Sequence, residues 1–364
     1  MSVRSLPITS RLGLALARPP GWLLGWWAFG RVVAIATALT LKPTVWTLDR
    51  WDGHWYRMVA RGGYLLVPGR QSDPAFFPLY PIMLRVVHAA GVGWGVAGPL
   101  LSNLALLLGL WLFYQLTREI FSEPLARRAT IYLAIFPLSY VFSMSYPESV
   151  VLVFLIAAPL AARRGRWWLA ALCAGAAALA RPEGLFLALP LAEIAWRQRQ
   201  KLTPTRRGAA FTAVLAPVAA IASYSLYLAT VLHDPLAWSQ AERAWGRRFR
   251  LGGVYEAFAH LPATVGHEVW LTRDVVSFFV YLALLAVAWR LGTPLAWIAG
   301  GAAVVVLPVF TGAFDSIGRF GLLAPPIFWG LAGLTRNARS ERVVQVLSLG
   351  LLVLGTASLA YVFP

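Results

Sequence analysis

"GWLLGWWAFGRVVAIATALTLKPTVWTLDRWDGHWY", residues 21–56, joins two unlike halves. Residues 21–41 carry one charge, Arg31, in an otherwise apolar run. A run of about 20 such residues crosses a bilayer. Directly after it come Asp49, Asp52 and His54 among Trp46, Trp51, Trp55 and Tyr56. Solvating loops rarely gather so many aromatics, so 46–64 reads as the wall of a binding site at the mouth of a membrane helix.

The rest of the chain repeats the first half of that pattern. Its 364 residues are 59% hydrophobic and only 13% charged, and the mean hydropathy is +0.65. Apolar runs recur at 21–41, 95–117, 129–146, 148–162, 167–181, 183–196, 209–231, 274–290, 294–312, 318–334 and 343–363. The expectation is an all-α, polytopic membrane protein of about 11 transmembrane helices. It forms one integral membrane domain over 1–364, with a cytoplasmic tail at 1–20 and outer loops at 42–94 and 232–273. Segment 76–94 carries Arg85 and His88 and is predicted to lie in the interface.

Charge gives the orientation. Arg4, Arg11 and Arg18 precede the first span, and 117–128, 163–166, 197–207 and 335–342 are short and arginine-rich. The positive-inside rule puts these segments and the N-terminus in the cytoplasm, with the protein in the cell membrane. The net charge of +17 therefore reports topology rather than nucleic-acid binding. Eleven of the fifteen carboxylates fall on the other side: Asp49, Asp52, Asp73, Glu148, Glu183, Asp234, Glu242, Glu256, Glu268, Asp274 and Asp315. Chemistry is expected there. Cys173, the single cysteine, has no disulfide partner within the chain and reads as packing.

The outer segments each admit two roles. If 51–61 is helical, Asp52 and Tyr56 share a face with Val59 and Ala60. Asp49 is placed to cap that helix or to share a site with Asp52. Glu148 either caps a helix start or lines a site. Arg181 and Glu183 pair locally, or act as charges at membrane depth. In 233–250, beginning with Asp234, a helix would put Trp238, Glu242 and Trp245 on one stripe and Arg243, Arg247 and Arg250 on another. Arg319 faces phospholipid headgroups or a phosphate-bearing substrate. Together these segments supply arginines for a phosphate leaving group and a carboxylate base for a hydroxyl acceptor. An enzyme using a polyprenyl-phosphate sugar needs both.

The order of motifs, "RWDGHWYRMVARGGY…AFFPLYP", "FPLSYVFSMSYPES", "ARPEGL", "DPLAWSQAERAWGR" and "GRFGLLAPP", resembles the mannosyltransferase II family of glycosylphosphatidylinositol-anchor assembly, in its bacterial branch. The resemblance runs from about residue 22 to 334 and implies a GT-C glycosyltransferase fold. It implies transfer of a sugar, mannose by family habit, from a polyprenyl-phosphate donor to a lipid or glycolipid acceptor. The family's carboxylate in the first outer loop maps onto Asp52, with Asp49 beside it. Their D-R-W-D spacing leaves open which is the base and gives no support for a metal site, so no cofactor is expected. On the inverting reading, Arg319, Arg247 and Arg181 bind the donor phosphate, and His54, Trp55, Glu148, Asp234 and Glu242 line the substrate. The rival class is a lipid or solute transporter, which would place its charges near the midplane between repeated halves. Neither that placement nor a repeat is visible in the sequence.

Overall fold

A computed structural model of the protein describes residues 18–261, 265 and 269–359. Arg4, Arg11, Glu268 and residues 360–363 of the last expected span lie outside the described residues. Every regular element among the described residues is helical. In chain order they are α1 (Gly21–Leu41), α2 (Asp52–Gly62), α3 (Leu79–Ala89), α4 (Trp94–Ile120), α5 (Glu123–Ile135) and α6 (Glu148–Arg163). Next come α7 (Trp167–Ala180), α8 (Ala188–Gln198), α9 (Pro204–Leu232), α10 (Ala237–Ala244) and α11 (Gly253–Ala259). The series closes with α12 (Val269–Arg290), α13 (Leu295–Val306), α14 (Ile317–Phe320), α15 (Pro325–Leu334) and α16 (Ala338–Ser358), with short 3-10 turns between some of them.

Among the described residues, α1, α4, α9, α12 and α16 are long and apolar enough to cross a membrane singly. A sixth candidate is Ile317–Leu323 with Pro325–Leu334, bent by 86°. The other expected spans break into shorter pieces, and proline explains two of the breaks. The run 129–146 stops being helical at Ile135, because Pro137 holds Phe136 extended (φ −54, ψ 147). Pro182 likewise opens a 3-10 turn, Pro182–Leu187, ahead of α8. Burial varies among these shorter pieces: α7 and α8 leave Trp168, Leu172 and Trp196 exposed. Most of α6 is buried, packed between α4 and α7.

The chain has two chemically distinct ends. Arginine-rich turns that the charge pattern puts on one side meet one another. Arg163 and Arg164 both pair with Glu119, at 3.2 and 2.9 Å, and Gln198 donates to the carbonyl of Ala162 at 3.3 Å. At the opposite end the segment after α1 docks on the turn after α5, where the Ser145 amide donates to the Leu48 carbonyl at 2.8 Å. There α3 packs on α2, and Arg85 donates to the carbonyls of Ala60 and Arg61 at 2.7 and 3.3 Å.

Candidate active site

Asp52 opens α2, and the geometry before it is unusual. Trp51 stands at φ 57, ψ −121, a strained conformation for a residue with a side chain. Gly53 sits so near the 143–147 turn that a Cβ there would lie 2.9 Å from Ser145 Cβ. The helix buries Asp52, Gly53, Tyr56, Val59 and Ala60, the face its spacing indicates. The Asp52 amide also donates to the Tyr146 hydroxyl at 3.4 Å.

Arg319 arrives from the far end of the chain. Its turn begins at Ser316 (φ 67) and is gripped by Asp274 of α12. The Asp274 carboxylate accepts from the Ser316 amide at 2.8 Å and from the Gly318 amide at 2.9 Å. Tyr281, on the same helix, donates to the Gly318 carbonyl at 2.6 Å. From this turn Arg319, 2% exposed, reaches Asp52 with Nη1 to Oδ2 at 2.5 Å.

The pair belongs to a chain of alternating charge. Arg319 Nη1 lies 3.8 Å from Glu148 Oε1, which accepts from Arg181 Nη1 at 2.7 Å. Arg181 also grips both oxygens of Glu183, at 3.1 and 3.0 Å. Arg247 lies 3.6 Å from Glu242 and donates to Ser316 Oγ at 3.4 Å. The guanidinium groups of Arg181, Arg247 and Arg319 share the ring of Phe320, at 4.9, 5.7 and 5.5 Å from its centroid.

These groups surround a cavity of about 680 Å³, a volume common for small-molecule sites. Its charged lining is Asp52, Arg181, Glu183, Glu242, Arg243, Arg247, Arg248 and Asp315, with Tyr56, Phe76, Trp238, Trp245 and Phe320 among the aromatics. Burial by itself raises the Asp52 carboxyl, but Arg319, helped by Arg247 and Arg181, outweighs it and holds the group below the usual carboxylate range. Glu242 goes the other way: burial raises it, and Arg247 offsets that only in part.

The residues singled out from sequence are distributed unevenly. Asp52, Arg181, Arg247 and Glu242 line the cavity. Arg319 and Glu148 stand behind Asp52 in the charge chain, and Glu148 is fully buried. Asp49 is not the α2 cap: Trp51 holds that position without a side-chain cap bond. Asp49 does not line the cavity and forms an ion pair with Arg57. Burial pushes its carboxyl up, opposed by the Ser145 hydroxyl and by Arg57. Arg57 in turn lies 3.0 Å from His54 Nδ1, and His54 is exposed. Trp55 stacks on Phe76 at 5.7 Å and meets Trp245 edge-on at 5.3 Å, bracing the wall from behind. Asp234 accepts from the Leu236 amide at 2.8 Å and from Gln240 Nε2 at 2.5 Å, closing the turn into α10.

The expected arginine stripe does not form on a helix. α10 ends at Ala244 and Gly246 turns the chain at φ 80, so Arg247 and Arg250 lie beyond it. The reversal brings Arg243, Arg247 and Arg248 all to the cavity. Tyr56, Arg243 and Arg248 in the lining, and Asp274 behind it, escaped the sequence reading as site residues. Only Asp274 carried a distinct signal, as a carboxylate inside an apolar run. Among the described residues, no three His, Cys, Asp or Glu side chains are grouped to hold a metal ion.

No protein-family model and no curated protein matches the chain. Among solved structures it is similar to the oligosaccharyltransferase AglB of Archaeoglobus fulgidus in complex with an inhibitory peptide and a dolichol-phosphate. That match has 14% identity and a TM-score of 0.49, covering 93% of this chain and 55% of that one. It is also similar to the arabinosyltransferase EmbB of Mycobacterium smegmatis, with 16% identity and a TM-score of 0.48, over 90% of this chain and 31% of that one. The chain spans about half the length of AglB and about a third of EmbB. The chemistry of the cavity is accordingly read from its own residues: an ionised carboxylate, a ring of guanidinium groups and aromatic walls, at one end of an all-helical bundle built to cross a membrane.

Proposed function

We propose that the protein is an inverting glycosyltransferase of the GT-C type. It moves a sugar, mannose on the motif resemblance, from a polyprenyl-phosphate donor to a lipid or glycolipid acceptor outside the cytoplasm. The observation that carries this reading is Asp52, a carboxylate kept ionised on the wall of a cavity that also collects Arg181, Arg243, Arg247 and Arg248. Asp52 accepts the proton of the acceptor hydroxyl as that oxygen bonds to the anomeric carbon. The bond from that carbon to the phosphate oxygen breaks on the opposite face, and the lipid phosphate leaves as an anion without needing a proton. Guanidinium groups meet the growing negative charge. Of these, Arg247 is only loosely paired, with Glu242 at 3.6 Å. Arg247 and Arg181 line the cavity and also help to hold the Asp52 carboxyl down, so a phosphate that engages them raises the basicity of the carboxylate when it is needed.

The test uses purified protein in liposomes with radiolabelled polyprenyl-phosphate-mannose and extracted membrane lipid. Label should appear in the acceptor lipid with the wild type and fall by about 10²–10⁴-fold with Asp52→Asn, which cannot take the proton. Counterflow of lipid without transfer would identify a transporter instead. An active Asp52→Asn would remove the base.

A further inference from the structure

We propose that Asp274 is a positioning residue that sets two cationic arms about Asp52, Arg319 behind it and Arg247 on the cavity wall, from within α12. This rests on the reading of Asp52 as the base. Asp274 is fully buried and does not line the cavity. Its whole hydrogen-bonding effort goes into one turn of backbone, with Oδ2 on the Ser316 amide and Oδ1 on the Gly318 amide. Amides bonded to a carboxylate are held more firmly than amides bonded to a neutral acceptor.

The turn requires such a hold. Ser316 occupies the left-handed region at φ 67, where a residue with a side chain stays only if its surroundings insist. Gly318 leaves no alternative seat: a Cβ there would lie 2.7 Å from Asp274 Oδ1 and 3.0 Å from Leu138 Cδ1. Two functional contacts then leave this one turn. Arg319 extends to Asp52, and Ser316 Oγ receives Arg247. Arg273, 3.6 Å from Asp274 Oδ1, balances the charge while donating to the Tyr140 hydroxyl at 2.9 Å. One buried carboxylate thus fixes where two guanidinium groups stand relative to the base.

The pH profile separates positioning from mere charge. Asp52 is faced by Arg319 from α14, Arg181 at the end of α7, Glu148 at the start of α6, Glu242 on α10 and Arg247 beyond it, and by the phenols of Tyr56 and Tyr146. Deleting a negative charge at residue 274 would, by Coulomb's law alone, ease ionisation of Asp52 and move the acid limb of kcat/KM to lower pH. Letting Arg319 drift does the reverse, because burial then governs the carboxyl and the limb moves to higher pH.

In Asp274→Asn the side-chain amide confronts one backbone N–H donor with another, so the turn loosens. The expected result is a folded protein with kcat/KM down by about 10²-fold, the scale of a 1 Å misplacement, and an acid limb moved up. A limb that stays or moves down overturns the proposal. Gly318→Ala breaks the same contact without changing charge and should reproduce the upward move if the asparagine variant fails to fold. Should Asp52→Asn prove active, the base reading falls by itself. Polyprenyl phosphate binding by Asp274→Asn, followed by tryptophan fluorescence, still judges the arms: weaker binding supports the positioning role, and unchanged binding sinks it.

Discussion

Asp52 and Arg319 are each buried, and each is the other's nearest opposite charge. A lone buried charge left by deleting its partner typically costs about 3–5 kcal/mol. Arg319→Ala should therefore lose stability on that scale, whereas Arg319→Lys keeps the charge and should lose far less while still weakening donor use. Thermal melts in detergent, beside donor titrations, separate the two effects. The sign of the pH dependence follows from Asp52 lying below the usual range. Its contribution is full above the unfolded carboxylate value of about 3.9 and is lost as pH falls through the folded value. Arg319→Ala should flatten that acid-side loss.

Asp73 gives the opposite sign. Burial lifts its carboxyl to about 6, against the Leu65 amide that donates to it. Its contribution is full at low pH and disappears as pH rises through 6. Asp73→Asn should then melt higher than wild type above that pH and lose the dependence. The sequence exposes these carboxylates as unusual but not their partners. Asp49 and Asp52 look equivalent in D-R-W-D, and only the fold sends one to Arg57 and the other to Arg319.

Between elements, one of the tight joints is where α4 meets the turn after α5. A Cβ on Gly98 would stand 2.1 Å from Ser145 Oγ and 2.5 Å from Ser145 Cβ. Gly98→Ala should cost about 1–3 kcal/mol, the usual penalty of overpacking, and displace the turn that seats the segment after α1. Ser145→Gly in the same chain removes the two nearest atoms, leaving only Ser145 Cα at 2.9 Å, and should recover part of the loss, read as the coupling in a double-mutant cycle. A cycle with no coupling would show that the joint is looser than drawn. At this scale α2 was legible, because its buried positions repeat every three to four residues. The arginine stripe of 243–250 was not, since the Gly246 reversal carries no hydrophobic period. The broken spans were half legible: Pro137 and Pro182 are visible punctuation, but that short helices can remain at membrane depth depends on neighbours far along the chain.

For the whole molecule, the two ends make one claim about orientation. Arg199, beside the Arg163–Glu119 cluster end, should react from the cytoplasmic side when changed to cysteine in a Cys173-free background. Ser239, on the cavity wall, should react from outside. An impermeant maleimide applied to intact cells and to inverted vesicles decides it, and labelling of both from one side would overturn the topology. The all-helical class was legible from hydropathy alone, because a backbone in lipid must satisfy itself. The cavity was legible only in part: Asp52, Arg181, Arg247 and Glu242 stand out in the sequence, but Tyr56, Arg243 and Arg248 do not, since it is assembled by segments as distant as α2 and α14.

That distance governs how the protein comes into being. The Asp52–Arg319 contact closes a loop of 267 residues. Asp52 is synthesised 267 residues before Arg319, so no nascent chain shorter than residue 319 contains the pair. On the proposed mechanism, premature termination anywhere upstream should yield an inert fragment rather than a partly working one. Conversely, the ion pair needs both arms present but not covalently joined. Separately translated fragments 1–200 and 201–364, co-expressed, should dock through α7, α8 and α9 and regain transfer activity that neither fragment shows alone.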